Sequence, residues 1–247
     1  MTKATKEVIL GYLTTTSSRG GPVNAAHYEA AAPGLRRRLG RWLPKKGSRV
    51  LDLGCGLGEL LYLCQTVGCA ERVGVNLCRE EIEAARPFVQ ARFECMDILE
   101  YLKGSHETFD CIFALNILEH LDKDTLLEAL RLCSAHLAPG GTLVAMVPNA
   151  LSPFGTVTRY WDFTHEWAFT PNNFRQLAPL AGFSGDVEFR ECGPVPYGII
   201  SSARWVLWQG IRSLIKVYLL VEVADTKEGI YTMDMMVRMK KTNGEAA

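Results

Sequence analysis

A glycine-rich segment near residue 50 carries the strongest chemical signal in the sequence. Residues 50–59 are Val-Leu-Asp-Leu-Gly-Cys-Gly-Leu-Gly-Glu, so that Asp52 precedes glycines at positions 54, 56 and 58. Glycine lets the backbone approach a ligand more closely than any other residue does. An acid in front of the turn would repel a diphosphate but would pair with a cation such as an α-amino group. The spacing also differs from the G-x-G-x-x-G of dinucleotide sites, which disfavours a nicotinamide oxidoreductase.

The elements around this turn predict a parallel sheet. From residue 49 onward, short apolar or β-branched runs alternate with helical patterns, which is typical of right-handed βαβ units. Ligands bind at the carboxyl edge of such sheets. We predict strands at 49–53, 72–76, 92–96, 109–115 and 142–147, helices at 59–67, 79–89, 124–137 and 171–181, and a closing pair of strands at 185–192 and 231–239.

The segment Val-Leu-Asp-Leu-Gly-Cys-Gly-Leu-Gly-Glu-Leu resembles motif I of the class I S-adenosylmethionine (SAM) dependent methyltransferases. The likeness extends over most of residues 49–192. It implies SAM as the cofactor. It also implies an α/β fold with a Rossmann-like, seven-stranded, mostly parallel sheet and helices on both faces, together with an N-terminal helical cap and a helical insertion before the last strand.

The same resemblance implies where each part of SAM would bind. The three glycines would surround the methionine part, with Asp52 oriented toward its amino group. Asp97 would accept a hydrogen bond from the adenine amino group, and Asn116 would line the cleft beside the methionine part. The predicted cofactor-binding residues are Asp52, Gly54, Cys55, Gly56, Gly58, Asn76, Leu77, Asp97, Ile98 and Asn116.

Asn76 departs from the family pattern, which has an acid at the end of the second strand to hold both ribose hydroxyls. An amide can accept one hydroxyl proton and donate to the other oxygen, so ribose binding is expected to survive. The alternative is that Asn76 is only a turn residue and that the ribose is held elsewhere.

A histidine in the loop after the fifth strand is the predicted general base. Residues 148–170 hold an aromatic cluster and are expected to form a lid or pocket wall. Histidine suits general-base work, which is worth about 10²–10⁴ in rate, and we expect Asp162 to orient the ring of His165. The surrounding run resembles a methyltransferase subgroup associated with surface polysaccharides and other glycans. Alternatively, His165 caps the next helix or packs among the aromatic side chains.

A second group of candidate residues, which could bind a metal ion, also includes His165. Asn116-Ile-Leu-Glu-His resembles the Glu-x-x-Glu-His segment of magnesium-dependent O-methyltransferases that act on ubiquinone precursors and on RNA 3′ ends. Here the first acid is replaced by Asn116, and the loss of a carboxylate weakens a hard-cation site. We therefore predict no metal, with Glu119 and His120 shaping the floor of the cleft. A divalent ion held by Glu119, His120 and His165 is the alternative.

Composition narrows the partners and the location. The 247 residues include 27 Lys and Arg against 27 Asp and Glu, so the zero net charge argues against a nucleic-acid partner. Eight cysteines without a Cys-x-x-Cys pair fit reduced, mostly buried thiols. The first residues lack the pattern of a signal peptide. We predict a cytoplasmic protein, with peripheral attachment to a membrane surface as the alternative.

We divide the chain into an N-terminal helical cap (1–48), a SAM-binding core (49–192), a helical insertion (193–229) and a final strand with a tail (230–247). Residues 199–220 of the insertion are amphipathic. Their mixed basic and aromatic side fits either a homodimer interface or contact with a membrane surface. Their apolar stripe is expected to pack on the domain, and it consists of Val206, Leu207, Gly210, Ile211, Leu214, Val217 and Tyr218.

Together these features predict a SAM-dependent methyltransferase that methylates a hydroxyl group of a small-molecule or glycan-type acceptor, with His165 and Asp162 as its catalytic residues. One alternative is an N- or C-methyltransferase of small-molecule biosynthesis, in which an already nucleophilic acceptor would make His165 dispensable. The other is a SAM-binding scaffold without turnover, because this fold does not by itself fix the reaction.

Overall fold

One seven-stranded sheet organises the fold. The computed structural model describes residues 3–15 and 22–242. The strand order is β3-β2-β1-β4-β5-β7-β6; β1 to β5 are parallel, and β7 runs antiparallel to both β5 and β6. This confirms the predicted Rossmann-like, mostly parallel sheet. The strands are β1 (Arg49–Leu53), β2 (Glu71–Asn76), β3 (Arg92–Cys95), β4 (Phe109–Leu115), β5 (Leu137–Pro148), β6 (Glu188–Glu191) and β7 (Asp234–Lys240).

Local sequence sets several helix ends. The fourth helix lies between Gly58 and Gly68, which both adopt the left-handed conformation, and the ninth begins with a capping box of Thr170 and Asn173. The helices are α1 (Lys3–Leu10), α2 (Tyr12–Thr15), α3 (Ala25–Leu39), α4 (Glu59–Val67), α5 (Arg79–Ala85), α6 (Ile98–Gly104), α7 (Lys123–Ala135), α8 (Gly155–Trp161), α9 (Pro171–Leu180) and α10 (Ile199–Val223).

Alternate residues of the strands supply two apolar layers. Leu51 and Leu53 of β1 are buried in a cluster with side chains of α6, α7 and α9, whereas Val50 is buried in a second cluster with side chains of α3 and α4. Burying a side chain of this size stabilises a fold by about 1.5–3 kcal/mol. The two layers hold the carboxyl ends of β1 and β4 in place, and the cavities described below lie at those ends.

The predicted elements differ most clearly from the structure in three places. The second predicted helix ends at Ala85 rather than at residue 89, because Pro87 has no backbone N–H with which to continue the helical hydrogen bonds. β5 begins at Leu137, five residues early, and continues through the Pro-Gly-Gly turn with an irregular pairing to β4. The predicted loop at 148–170 contains α8, whose β-branched and aromatic residues have low helix propensity.

The insertion helix α10 faces the sheet with the side opposite to the predicted one. Its contacts with β6 explain this, because Glu191 pairs with Arg212 Nε at 3.0 Å and accepts a hydrogen bond from Trp208 Nε1 at 3.4 Å. The polar anchor therefore turns the mixed side inward, and the prediction that the apolar stripe packs on the domain was wrong. The exposed stripe comprises Val206, Leu207, Gly210, Ile211, Leu214, Val217 and Tyr218.

The N-terminal cap contains α1, α2 and α3. α3 packs on α4 at the side of the sheet, whereas α1 and α2 reach the carboxyl edge of the sheet. Residues 1–2 and 16–21 of the predicted cap, and residues 243–247 of the predicted tail, lie outside the described residues. The division of the chain into four segments stays a prediction.

Candidate functional site

The glycine turn after β1 opens onto a cavity of about 290 Å³. Gly54, Gly56 and Gly58 have φ angles of 71°, 51° and 76°, in the left-handed region that favours glycine. A Cβ atom at Gly54 would come within 3.0 Å of Ile117 Cδ1. The Gly54 N–H donates to Val75 O at 2.8 Å and holds the turn against β2. The turn therefore exposes backbone to the cavity where a larger residue would not fit.

Two carboxyl groups line this cavity. Asp52 is buried, and its burial, followed by the charge of Glu59, raises its pKa well above the usual range. A positive group such as an α-amino group would favour the ionised form of Asp52 on entering the cavity. The structure thus brings five of the predicted cofactor residues around one space, namely Asp52, Gly54, Cys55, Gly56 and Asn116. What each of them binds stays a prediction.

The residues predicted to hold adenosine lie outside this cavity and beside the cap. Asp97 Oδ1 accepts from the Leu99 N–H at 2.9 Å and caps α6, and Asp97 Oδ2 pairs with Lys6 Nζ of α1 at 2.9 Å. Both oxygens already have partners where the adenine amino group was expected. Ile98 packs in the core, and Leu77 is half-buried. Helix α1 of the chain itself therefore covers the residues that were predicted to bind the adenosine part of SAM.

Asn76 is held by a buried acid that the sequence analysis did not single out. Its Nδ2 group donates to Glu81 Oε2 at 2.8 Å and to Cys78 O at 3.3 Å, and both Asn76 and Glu81 are buried. Both amide hydrogens are thus engaged, which leaves only Oδ1 to accept from a ribose hydroxyl. Donation from Asn76 to the ribose would require Nδ2 to leave these acceptors, and the role of Asn76 stays a prediction. Glu81 places a buried carboxylate beside the end of β2.

Asn116 lies between the first cavity and a second one. It has a φ of 55°, which asparagine tolerates better than most residues, and its N–H donates to Met146 O at 2.9 Å. It lines the 290 Å³ cavity on one side and a cavity of about 440 Å³ on the other. A methyl donor in the first cavity and an acceptor in the second would meet beside Asn116.

The second cavity is lined by five separate parts of the chain, one of which is Pro148 at the end of β5. Tyr12 comes from α2, Glu119 and His120 come from a 3₁₀ turn at Leu118–His120, and Asp234 is the first residue of β7. The fifth part is α8 with the loop after it, which contributes Val157, Thr158, Trp161, Asp162 and His165. Both predicted catalytic residues therefore lie in this cavity.

The ring of His165 is fixed by a backbone carbonyl. Nδ1 lies 2.8 Å from Thr158 O, and because a carbonyl only accepts, Nδ1 carries the proton. In the neutral ring Nε2 then keeps a free electron pair, and it lies 3.9 Å from Glu119 Oε1. The expectation that Asp162 orients this ring was wrong, because the Asp162 carboxylate is taken by other donors.

Those donors join Asp162 to the cap and to the second histidine. Asp162 accepts from Tyr12 OH at 2.7 Å and from Thr164 Oγ1 at 2.6 Å, and Thr164 Oγ1 accepts in turn from His120 Nδ1 at 2.7 Å. Although burial raises the pKa of Asp162, these hydrogen bonds bring it below the usual value. Burial, together with the neighbouring His165, lowers the pKa of His120 to about 4. The network thus contains an ionised Asp162 and a neutral His120.

Glu119 is the most deeply buried acid of the second cavity. Within the described residues its Oε2 atom has no hydrogen-bond partner, and burial, with smaller effects from Asp234 and Asp162, raises its pKa to about 8. The pKa of Asp234 is also raised, chiefly by burial. Glu119 is therefore protonated at neutral pH until a positive charge comes close.

Glu119, His120 and His165 each offer one ligand atom, and these atoms lie within 4.8 Å of one another. Two imidazoles and one carboxylate suit ions such as zinc better than magnesium, which prefers an octahedron of oxygen ligands. Asn116 stands where the magnesium-dependent pattern has an acid. The residues therefore fit a magnesium ion poorly, and the absence of a metal requirement stays a prediction.

Comparison with known proteins identifies the family. The family model described as a methyltransferase domain matches residues 25–186. The chain belongs to this methyltransferase family. The match confirms the predicted recognition as a class I SAM-dependent methyltransferase, with SAM as the cofactor of the family.

The methyltransferase is similar to several curated proteins over part of their length. A ubiquinone biosynthesis O-methyltransferase of Methylocella silvestris is 33% identical over 131 residues, which cover 51% of this chain and 50% of that protein. An O-methyltransferase of Penicillium expansum is 29% identical over 167 residues, which cover 63% of this chain and 59% of that protein. The chain thus spans between half and three fifths of these two relatives.

Solved structures share the fold. A SAM-dependent methyltransferase from Archaeoglobus fulgidus aligns with a TM-score of 0.63 at 24% identity over 87% of this chain and 94% of that one. The N-methyltransferase NodS of Bradyrhizobium japonicum, in complex with S-adenosylhomocysteine, aligns with a TM-score of 0.56 at 18% identity over 97% of each chain. These likenesses support the fold of the methyltransferase.

Several functional candidates escaped the sequence analysis. Glu81 follows the end of β2 by five residues, and its place in the first turn of α5 is a signal that could have found it. Asp234 is the first residue of an antiparallel strand, and its position in the sequence gives no signal of a functional role. Thr158 acts through its backbone carbonyl, which no residue type reveals. The methyltransferase site therefore combines residues with and without a sequence signal.

We expect Asn76→Asp to weaken the binding of S-adenosylhomocysteine. The new carboxylate would face Glu81 across the present 2.8 Å contact without a donor between them. The Kd measured by calorimetry should rise about ten-fold, and adding Glu81→Gln should recover most of the loss by restoring a donor. The exposed Glu80→Gln on the same helix serves as the control. Equal affinity of Asn76→Asp and the parent protein would contradict the pairing.

Glu119 should make stability depend on pH. With a folded pKa of about 8 against an ordinary 4.5, the folded state keeps a proton that the unfolded chain has released. The contribution of Glu119 to the free energy of unfolding therefore falls as pH rises through this window, by up to about 1.4 kcal/mol per pH unit. Glu119→Gln should remove this dependence in urea titrations, and the exposed Glu166→Gln should not. If the free energies of unfolding of Glu119→Gln and the parent protein differed by the same amount at every pH, the raised pKa of Glu119 would be refuted.

Proposed function

We propose that the chain is an active O-methyltransferase that uses SAM to methylate a hydroxyl group of a small-molecule or glycan-type acceptor, with His165 as the general base. One observation carries the proposal. The Thr158 carbonyl holds the proton on Nδ1 of His165 at 2.8 Å, so that the neutral ring offers Nε2 as a proton acceptor in the second cavity. A hydroxyl oxygen needs such a base to become a strong nucleophile.

The residues of the first cavity fit the cofactor. When bound, SAM supplies an electrophilic methyl group on a positively charged sulfur. The left-handed glycine turn and the buried carboxyl of Asp52 would hold its amino-acid end, since the turn leaves backbone open to the cavity and Asp52 lacks a cationic partner there. Asn116 would line the passage between donor and acceptor.

The residues of the second cavity would handle the proton. Nε2 of His165 would accept the proton of the acceptor hydroxyl as the oxygen bonds to the methyl carbon, while Nδ1–H keeps its bond to Thr158 O. The resulting imidazolium would lie 3.9 Å from Glu119 Oε1. Its positive charge would lower the pKa of Glu119 and favour a stabilising carboxylate.

The names of the curated relatives favour oxygen as the methylated atom. The matching ubiquinone biosynthesis proteins and the Penicillium protein are O-methyltransferases. The matches cover only 50%, 59% and 67% of these three relatives, so they support the reaction class more than the acceptor. The acceptor therefore rests on the shape and chemistry of the second cavity.

One observation favours a second candidate function. Glu119, Asp162 and Asp234 place three carboxyl groups around the second cavity. Such a set would attract a cationic amine, and an amine that has released its proton needs only alignment with the methyl group. An N-methyltransferase of small-molecule biosynthesis would therefore retain activity without His165.

Replacing His165 separates the two candidates. We expect His165→Ala and His165→Gln to lower the transfer of tritiated methyl from SAM to hydroxyl acceptors by about 10²–10⁴-fold while the affinity for S-adenosylhomocysteine is unchanged. The assay would use a panel of catechols, glycosides and primary amines, with the exposed His106→Ala as the control. Undiminished transfer to an amine by His165→Ala would favour N-methylation. Tight cofactor binding without transfer to any of them would favour a scaffold.

Removing metal ions should leave the reaction unchanged. If His165 Nε2 accepts a proton, it is not available as a metal ligand during that step. Dialysis against EDTA and then dipicolinate should therefore leave the rate of methyl transfer at its starting value, and added magnesium should not raise it. A loss of activity that zinc or manganese restores would instead make Glu119, His120 and His165 metal ligands.

A further inference from the structure

The outer face of α10 is a long apolar surface. Every residue of this 25-residue helix keeps part of its surface exposed, and the six large side chains of its outer stripe are between 48% and 72% exposed. Monomeric soluble proteins rarely expose contiguous apolar patches larger than a few hundred Å². The six side chains, which we call the outer stripe, are Val206, Leu207, Ile211, Leu214, Val217 and Tyr218.

The outer stripe continues toward the second cavity. Phe154 and Ile211 line a groove of about 270 Å³ between α10 and the sheet, and Met233 lines both this groove and the second cavity. α8 and the loop after it carry three exposed aromatic side chains, one of which, Trp161, lines the same cavity. They are Tyr160, Trp161 and Phe163, and we call them the aromatic rim. Stripe, groove and rim thus lead along one apolar route to the mouth of the acceptor cavity.

The charges of α10 distinguish between partners. α10 contains three basic residues, Arg204, Arg212 and Lys216, and one acidic residue, Glu222, in its last turn. Arg212 is turned inward to Glu191, whereas Arg204 and Lys216 are exposed. A two-fold pairing of this helix with a second copy would bring together two helices that each carry an excess of basic over acidic residues. A surface that is both apolar and negatively charged complements this face better.

We propose that the outer stripe and the aromatic rim dock on the surface of an anionic lipid bilayer. A helix in the membrane interface requires an apolar face together with exposed basic residues beside it, and Trp and Tyr favour that region. Among the described residues, every helix is too short or too polar to cross a bilayer, so α10 lies along the surface. Docking places the mouth of the second cavity at the membrane. This inference goes beyond the proposed function and does not depend on which atom is methylated.

Vesicle flotation tests the docking with the full chain. The probes are vesicles of phosphatidylcholine alone and vesicles with roughly 30% phosphatidylglycerol. We expect the parent protein to bind the anionic vesicles and the double variant Leu207→Glu/Leu214→Glu to bind them about ten-fold less. Arg204→Glu/Lys216→Glu should lose the preference for anionic vesicles. Leu180→Glu is the matched control, because Leu180 is an exposed leucine of α9, at 59% exposure, and should leave binding unchanged.

The two double variants keep the test decisive. Far-UV circular dichroism and the Kd for S-adenosylhomocysteine should match the parent protein, since all four side chains are exposed. If Leu207→Glu/Leu214→Glu differed from the parent protein in circular dichroism or in this Kd, the vesicle binding of Arg204→Glu/Lys216→Glu would decide whether the surface docks on anionic lipid. Binding of the parent protein that is no stronger than that of these variants would overturn the proposal. A parent dimer in light scattering that Leu207→Glu/Leu214→Glu converts to monomer, without vesicle binding, would overturn it in favour of a second copy.

Discussion

The turn at the end of β4 is the constraint on which both cavities depend. Asn116 takes a left-handed conformation there, which costs a residue with a side chain about 1 kcal/mol or more, and its N–H is tied to Met146 O at 2.9 Å. Its neighbour Ile117 packs against Gly54, and the 3₁₀ turn that follows carries Glu119 into the second cavity. The turn at Asn116 therefore sets the distance between the glycine turn and the second cavity.

Buried acids dominate the chemistry on both sides of that turn. Asp52 in the first cavity and Glu119 in the second have raised pKa values, and burial is the largest cause in each case. In each case an incoming positive charge would offset the effect of burial and favour the ionised form. A sulfonium cofactor with an α-amino group, and an imidazolium formed at His165, are positive charges of the required kind. The site would thus gain electrostatic stabilisation when SAM binds and again when His165 has accepted a proton.

Local signals and long-range contacts differ in how well the sequence reveals them. The glycine turn and the first strands could be predicted because their residue types determine nearby backbone. The orientation of α10 could not, because a helical wheel does not contain the ion pair between Arg212 and Glu191, which lie on different elements. The hydrogen-bond partner of His165 could not be predicted either, because Thr158 acts through its backbone carbonyl, which every residue has. The sequence therefore located the site better than it described the bonds within it.

The cap is fastened unequally to the two halves of the site. Near the adenosine end it is held by Lys6, which is 43% exposed, in an ion pair with Asp97, and such pairs contribute about 0–1 kcal/mol. At the acceptor end, Tyr12 donates to the ionised Asp162 at 2.7 Å, and a hydrogen bond to a charged group contributes about 1.5–3 kcal/mol. If Asp97 binds the adenine amino group as predicted, Lys6 would have to release its carboxylate. Breaking that pair would cost less than breaking the Tyr12–Asp162 hydrogen bond, so the contact beside Asp97 would open before the contact beside Asp162.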